Sequence, residues 1–472
     1  MFNQKNNLFK NIEKFKKNIA LEFDNKKFTY NDIIKFGSNF KFLKKNKKLI
    51  LVICEYNLDL ISGYVNFLRF NQLVFLVDNN LSNEKYLKLI KNYKPQYIYL
   101  SKNNYKKNKF VDFQIKKKFN DYYFLEYRKN NSYLINKELS LLLMTSGSTG
   151  DPNTVRISKQ NILNNTNSII KYLKIKSQDK AITTLPMNYS LGMSIINTHL
   201  QKGATIVLSN NSLFEKNFWD TLALKKVTTF TGVPLNYEIL FKLGINKDKL
   251  PYIKYLTQAG GKLDKKLSTF FSKKLLKLKI KFFIMYGQTE ASPRMSYLDH
   301  TDILKNPDSI GKPIKGTFFY LIDKLGKKIN SNYKNGELCY SGKNVCFGYA
   351  NTYLDLNKKD ENRGILITGD IAYKDKNNFY YIVGRKKRFI KISGKRINLD
   401  YLESMFLKEN VKVVCHGYNE ILKIYHEYKM VDKSIFLKVL KIANIRYSAA
   451  DIKYLKKIPR TFNGKINYNK LN

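Results

Sequence analysis

Between residues 49 and 100, apolar bursts of strand length alternate with stretches of helical period, and the connections between them are short. Leu49-Ile-Leu-Val-Ile-Cys54 reads as a buried strand, Leu58 to Phe70 as a helix in which the small Gly63 packs close, and Leu73-Val-Phe-Leu-Val77 as a second strand. A helix with the face Tyr86, Leu87, Leu89 and Ile90 follows, and Tyr97-Ile-Tyr-Leu100 is a third strand. Strand, helix, strand, helix, strand with short connections predicts a parallel sheet with helices on its faces. Sheets of that kind bind ligands beyond the carboxyl ends of their strands.

The next strand end is chemically distinctive. Leu141-Leu-Leu-Met144 is a buried strand that runs into Thr145-Ser146-Gly147-Ser148-Thr149-Gly150, six residues that are all small and either hydroxylated or glycine. Glycines let the backbone approach an oxyanion, its N–H groups donate to phosphate oxygens, and the hydroxyls add further donors. Two readings stand side by side: a phosphate cradle, or an ordinary polar connection from strand to helix. The Walker A pattern is absent, because no Gly-Lys-Ser/Thr follows at the required spacing.

The strand-then-loop theme continues. Val155-Arg-Ile157 leads to Ser158, which caps a helix with apolar positions at Ile162, Leu163, Ile169, Ile170 and Leu173. Ala181 to Pro186 is a strand, followed by a loop through Tyr189 and Gly192, a helix, and the strand Ala204 to Leu208. Val227 to Pro234, Tyr255 to Gly261 and Lys281 to Tyr286 repeat the pattern, the last ending at Gly287-Gln288-Thr289-Glu290. Beyond Asp308 short β runs predict a small β subdomain, and the charged, glycine-led break at Gly384 to Arg388 predicts a boundary. The expected fold is α/β: a large N-terminal domain of parallel α/β sheets with a small β subdomain over 1–384, then a small mobile α+β C-terminal domain over 385–472.

At 472 residues the chain exceeds the size at which one core usually stops growing, in keeping with that division. Its formal charge of +48 raises nucleic acid or an anionic surface as a partner. Lysine greatly outnumbers arginine, however, and is spread over the whole length beside abundant Asn, Ile, Phe and Tyr, so dispersed solvated charge is the reading adopted and no specific nucleic acid is expected. Cys54, Cys339, Cys346 and Cys415 lie far apart in no metal-ligand spacing and read as buried, reduced thiols, and the four histidines form no zinc motif. No signal peptide and no apolar run of membrane-spanning length is recognised, so a cytoplasmic protein without a transmembrane segment is expected.

Taken together, the loops resemble those of the adenylate-forming enzymes: acyl-CoA synthetases, peptide-synthetase adenylation domains and luciferase. Thr145 to Gly150 with Pro152 is similar to the phosphate loop of that superfamily, and Tyr286-Gly-Gln-Thr-Glu290 to its adenine and magnesium motif. Thr368-Gly-Asp370 resembles its ribose motif, Gly384-Arg385 the start of its hinge, and Ile458 to Lys465 the segment carrying its catalytic lysine. The five segments fall in the family's order. The resemblance implies activation of a carboxylic acid by ATP to an acyl-AMP, followed by transfer to the thiol of coenzyme A or of a phosphopantetheinylated carrier protein.

It also implies roles. Thr145, Ser146, Gly147, Ser148, Thr149 and Gly150 would bind the β- and γ-phosphates, with Gly260, Gly261, Tyr286, Gly287, Gln288 and Thr289 around the rest of the nucleotide. Glu290 would bind Mg²⁺, Asp370 the ribose hydroxyls with support from Arg385, and Lys465 the α-phosphate and the substrate carboxylate. Lys387 would be the pivot of the C-terminal domain, with Lys391 and Gly394 on the face presented for thioester formation; Ser393-Gly394-Lys395 also reads as a plain β-turn. Tyr189, Leu191, Gly192 and Met193 would line the acyl pocket, and a core role for Leu191, Met193 and Gly260 is an equal alternative. No Asp or Glu occurs between Leu185 and Leu200, where relatives that activate amino acids place an Asp, so a small carboxylic acid other than an α-amino acid is expected.

Three positions depart from the family's pattern. Asn153 stands where the phosphate loop usually has Lys, Thr154 where it has Gly, and Lys159 where a His usually follows Ser158. Arg156 is the neighbouring cation expected to replace the charge missing at Asn153. These departures motivate a rival reading, a nucleotide-binding protein that has lost catalysis; a basic protein that binds polyanions is a third.

Overall fold

In a computed structural model, residues 8–129, 132–145, 153–386, 388–392, 395–418, 421–461 and 465–471 are described. Packing divides the chain into two compact units. One comprises Met1–Asp308, Pro313–Phe318 and Ser341–Leu366; the other comprises Ser309–Lys312, Phe319–Tyr340 and Ile367–Asn472.

The first unit holds two mixed sheets, each with a parallel centre and antiparallel strands at its edges, so the expectation of purely parallel sheets is met only in their middles. In one, the strands run in the order Tyr349–Ala350, Asn153–Ser158, Leu139–Thr145, Leu73–Asp78, Leu49–Cys54, Tyr97–Ser101, Tyr122–Tyr127, Phe113–Lys118. The predicted strands at 49, 73 and 97 are parallel neighbours, as the strand–helix alternation requires, and the strand predicted from Leu141, observed as Leu139–Thr145, joins them in parallel beside Leu73–Asp78. The other sheet runs Arg294–Leu298, Lys281–Gly287, Tyr255–Gln258, Thr229–Gly232, Lys180–Ile182, Thr205–Val207, Ile19–Phe23, Lys26–Thr29. One continuous core joins Ile50, Val52, Leu141 and Leu143 of the first sheet to Leu21, Ala181 and Ile206 of the second. The helices Leu58–Arg69 and Ser190–Gln201 lie in that core and are buried on nearly every side, polar Asp59, Asn66, Asn197 and His199 included. Gly63 sits where a Cβ would come within 2.5 Å of the Tyr99 ring, so the close packing expected there is found.

Two local expectations change. In the helix Asn83–Tyr93 the buried face is Tyr86, Leu89, Ile90 and Tyr93, whereas Leu87 is exposed. Leu87 lies about 100° round the helix from Tyr86, off the stripe that the 3.6-residue repeat selects. The stretch that follows Thr145 joins two antiparallel strands, since Leu139–Thr145 pairs with Asn153–Ser158, so it is a connection between strands and not from strand to helix. Ser158 caps the helix Lys159–Leu173 as expected, in a reciprocal capping box with Asn161.

The second unit contains a five-stranded sheet in the order Lys328–Ile329, Phe318–Ile322, Gly336–Ser341, Ile365–Lys374, Tyr380–Arg385. It continues through the hairpin Phe389–Ile392 with Lys395–Asn398, and a three-stranded sheet of Val413–Tyr418, Ile421–His426 and Ala450–Tyr454. The helices Leu399–Lys408 and Lys433–Ile442 pack on that small sheet around Leu402, Phe406, Ile424, Phe436 and Leu440. All four cysteines are free and buried, as expected. Among the described residues no helix is long and apolar enough to cross a membrane.

Candidate active site

Within the first unit, several of the named loops meet at strand ends. Thr145 closes the strand Leu139–Thr145 opposite Asn153, and its hydroxyl donates to the Asn153 carbonyl at 3.3 Å. Ser146, Gly147, Ser148, Thr149 and Gly150 lie outside the described residues. Thr154 is buried, and its hydroxyl accepts a hydrogen bond from Tyr93 at 2.9 Å, while Asn153 is exposed.

Arg156 does not replace the charge missing at Asn153. It is fully buried, and its guanidinium donates to the carbonyls of Tyr349 (3.0 Å), Lys358 (2.9 Å) and Phe347 (2.7 Å), with longer bonds to Asp355 and Lys359, and pairs with the Glu361 carboxylate. Residues 347–361 consume its donors.

The strand Lys281–Gly287 ends at Tyr286 to Glu290. Gly287 is required there by close approach, because a Cβ would lie 1.9 Å from the Pro293 carbonyl oxygen. Gln288 donates from its backbone to that same carbonyl at 2.9 Å and approaches the Tyr286 hydroxyl at 3.5 Å. Glu290 lies in the one-turn helix Thr289–Ala291, and its Oε1 accepts a hydrogen bond from Tyr349 at 2.9 Å. Burial and the Glu290 charge both push the Tyr349 phenol up, so it stays a donor. Among the described residues no cluster of His, Cys, Asp and Glu assembles a metal cage.

The expected acyl side adjoins this turn: the Ser190 and Thr289 hydroxyls are 3.0 Å apart. Tyr189 and Leu191 pack with Val233, Tyr255, Ala259 and Met285 in one apolar cluster. Gly260, at φ +82°, faces it, and a Cβ there would lie 2.8 Å from the Tyr189 hydroxyl and 3.6 Å from Leu191. Gly192 backs onto the Pro186 carbonyl, and Met193 belongs to the core between the sheets, because successive helical residues diverge by about 100°. Gly261 contributes its carbonyl to the Gln258 side chain at 2.8 Å.

One residue of this region was not among those singled out from the sequence. Arg294 opens the strand Arg294–Leu298 and is only 3% exposed, yet no carboxylate pairs with it among the described residues. Its Nε points at the Met285 sulfur at 3.4 Å, and the hydroxyls of Tyr172, which hydrogen-bonds to it, and Tyr189 are further polar neighbours. Burial holds the guanidinium pKa below its ordinary value. The signal available in the sequence is an arginine inside Pro293-Arg-Met-Ser-Tyr-Leu298, an otherwise uncharged strand.

In the second unit, Asp370 and Arg385 are direct cross-strand partners, and the Arg385 Nε lies 3.3 Å from a carboxylate oxygen of Asp370. Thr368 fixes the turn by donating to Leu338 at 2.8 Å and accepting from the Asp370 N–H at 3.1 Å. Asp370 is buried while Arg385 is exposed, so the pair presents one acceptor and one mobile cation at a strand end. Next to it, Arg388 is clamped between Asp400 and Glu403, and the Arg385 N–H donates to Asp400 at 2.7 Å. Lys387 and Gly394 lie outside the described residues; Lys391 is on the strand Phe389–Ile392. Lys465 is exposed, and its carbonyl accepts from the Thr461 N–H at 2.7 Å.

Comparison with known proteins defines the class. The profile described as AMP-binding enzyme matches residues 8–350, well over half of the chain, and the chain belongs to that family. It is 26% identical over 279 residues to a probable CoA ligase of Humulus lupulus, covering 57% of this chain and 51% of that one. It is 24% identical over 348 residues to the oxalate–CoA ligase of Saccharomyces cerevisiae, covering 70% and 62%. These matches thus span about half to just under two thirds of each relative's length. Among solved structures, o-succinylbenzoate CoA synthetase from Bacillus subtilis in complex with its acyl-adenylate intermediate superposes with a TM-score of 0.78 at 18% identity over 98% of both chains. ATP-bound MatB from Rhodopseudomonas palustris also gives 0.78, at 16% identity and the same coverage. At that identity the likeness establishes the α/β fold of the adenylate-forming enzymes.

Proposed function

We propose that this protein is an AMP-forming acid–thiol ligase. The oxygen of a carboxylic acid attacks the α-phosphorus of ATP, pyrophosphate leaves, and an acyl-AMP results; a pantetheine thiolate then attacks the acyl carbon and AMP departs. The observation that supports this most strongly is the strand end Tyr286 to Glu290. It offers an aromatic face for a base, a carboxylate with free lone pairs and a hydroxyl joined to the acyl side through Ser190.

The roles follow from what each group can do. An in-line displacement at phosphorus builds negative charge on the transferring oxygens, so donors and cations around them lower the barrier. Thr145 to Gly150 hold the β- and γ-phosphates, Asp370 accepts from the ribose hydroxyls with Arg385 beside it, and Lys465 reaches the α-phosphate. Glu290 fits a hard cation: Tyr349 occupies one lone pair, and the remaining oxygen positions suit a metal that keeps most of its ligands for phosphate and water. Mg²⁺ bound there supplies charge neutralisation at the phosphates. Residues 385–472 act as a mobile lid pivoting at Lys387 that brings Lys391 and Gly394 to the thioester step. The acceptor is coenzyme A or a carrier protein, and the acid carries no α-ammonium, because no carboxylate between Leu185 and Leu200 balances one.

ATP–pyrophosphate exchange over a panel of carboxylic acids tests the reading. Exchange with at least one acid, abolished in Lys465→Ala with nucleotide affinity retained, is the expected result; full activity in Lys465→Ala overturns the role given to that lysine. A second reading, a nucleotide-binding protein without turnover, is favoured by one observation: Asn153 brings no charge to the phosphate loop and Arg156 is committed elsewhere. Tight ATP binding with no exchange for any acid selects it.

A further inference from the structure

We propose that the acid accepted by the acyl pocket carries a second carboxylate, distal to the one that is activated, and that Arg294 is the residue that binds it. This rests on the ligase reading for the identity of the pocket, but its physical basis is separate.

A guanidinium removed from water without a counter-charge costs several kcal/mol, so buried arginines are ordinarily neutralised by a carboxylate or saturated by carbonyls. Arg156 shows how this fold does it, with Glu361 and a ring of main-chain oxygens. Arg294, buried nearly as fully, has neither among the described residues. A thioether is a weak acceptor, and the Tyr172 hydroxyl, which donates its own proton to the same Met285 sulfur at 2.9 Å, adds one neutral oxygen that accepts from the guanidinium. Several of the five guanidinium N–H donors therefore remain for a group the chain itself does not provide.

That group has a place. Arg294 lines a cavity of about 10 Å³ together with Tyr255, Thr198, Thr231, Thr257 and His199. The Tyr255 hydroxyl is buried on the same cavity with the Thr229 hydroxyl beside it, and makes no hydrogen bond of ordinary length among the described residues. The Thr231 and Thr257 hydroxyls share one hydrogen bond at 2.8 Å and so need only one of their two protons. His199 is held neutral, its pKa pushed down to about 4 by burial, which leaves Arg294 as the cation among the lining residues. Tyr255 and Met285 stand on both the cavity and the acyl cluster, so the two are neighbours. The room is that of a single water, so the site takes one carboxylate oxygen at the end of a short chain. A carboxylate is the complement of a planar donor fork, and a cation is excluded.

The test uses the full chain and two series of ligands: straight-chain dicarboxylates of two to six carbons and the monocarboxylates of equal length, titrated calorimetrically and then compared in ATP–pyrophosphate exchange. Wild type is expected to prefer at least one dicarboxylate over its monocarboxylate by about 100-fold or more, as for other sites whose buried donors go unpaired without the matching group. Arg294→Met should reduce that ratio to near one, and Arg294→Lys, which keeps the charge, should retain part of it. The melting temperature of Arg294→Met should not fall. Equal affinity for both series, no binding of any dicarboxylate, or a preference that survives in Arg294→Met each overturns the proposal, as does a Met variant that melts as low as Arg156→Met. If dicarboxylates bind through Arg294 while no acid supports exchange, the ligase reading fails and the anion site stands.

Discussion

Two arginines occupy neighbouring positions in the chemistry of this fold and are treated in opposite ways. Arg156 sits in the middle of a strand, takes oxygens from Phe347 to Lys359 and closes on Glu361; Arg294 sits at the start of a strand beside a thioether and two phenols. Both are almost fully buried. A saturated buried cation ties distant chain segments together and belongs to stability. An unsaturated one weakens the fold and is tolerated where a ligand completes it.

The comparison breaks or holds on measurable differences, the largest of which is thermodynamic. Arg156→Met should lose about 3–5 kcal/mol of unfolding free energy, because it strands the carbonyls of 347–359 and the Glu361 carboxylate. ATP–pyrophosphate exchange per folded molecule should be preserved, and a specific loss of exchange would return Arg156 to the phosphate loop. Acid provides the next test, on the Arg294 side. His199 has a folded-state pKa of about 4 against an ordinary value near 6.5, so the folded protein binds fewer protons between those limits. Stability from this residue is therefore complete above about pH 6.5 and declines as pH falls towards 4, by about 3 kcal/mol in all. His199→Gln should flatten that part of the denaturation profile; an unchanged profile would mean that the cavity beside Arg294 tolerates a second cation.

Smaller effects sharpen the contrast. Glu361→Gln should cost roughly 1 kcal/mol, since Glu361 is half exposed and the carbonyls continue to hold Arg156. Ser158→Ala, which removes the helix cap next to the Arg156 strand, should cost about 1 kcal/mol by chemical denaturation. Arg294→Met should cost nothing, and a loss comparable to that of Arg156→Met would erase the distinction between the two sites.

Much of the architecture was legible in the chain. The strands at 49, 73, 97 and 281 and the Ser158 cap appear where periodicity and capping chemistry placed them, because each depends on interactions within a few residues. The error at Leu87 came from counting an apolar residue into a stripe it adjoins without belonging to it. The cross-strand pairing of Asp370 with Arg385 was not legible, although the importance of both was: register is set by the whole sheet, and neither residue specifies its partner. Met193 and Leu191, two positions apart on one helix, went to different clusters for the related reason that a buried helix has neighbours on every side.

What the sequence by itself determined is the order of strand, loop and helix, the family to which those loops belong, and the residue types available for the chemistry. What only the tertiary structure decided is which charges are spent and which are left. Val155-Arg156-Ile157 and Pro293-Arg294-Met295 look alike as sequence, each an arginine set in a strand. The acceptors that satisfy Arg156 lie about two hundred residues away along the chain, in residues 347–361, and among the described residues no comparable set reaches Arg294. Electrostatic compensation acts through space, so it is written in the fold and not in the local sequence.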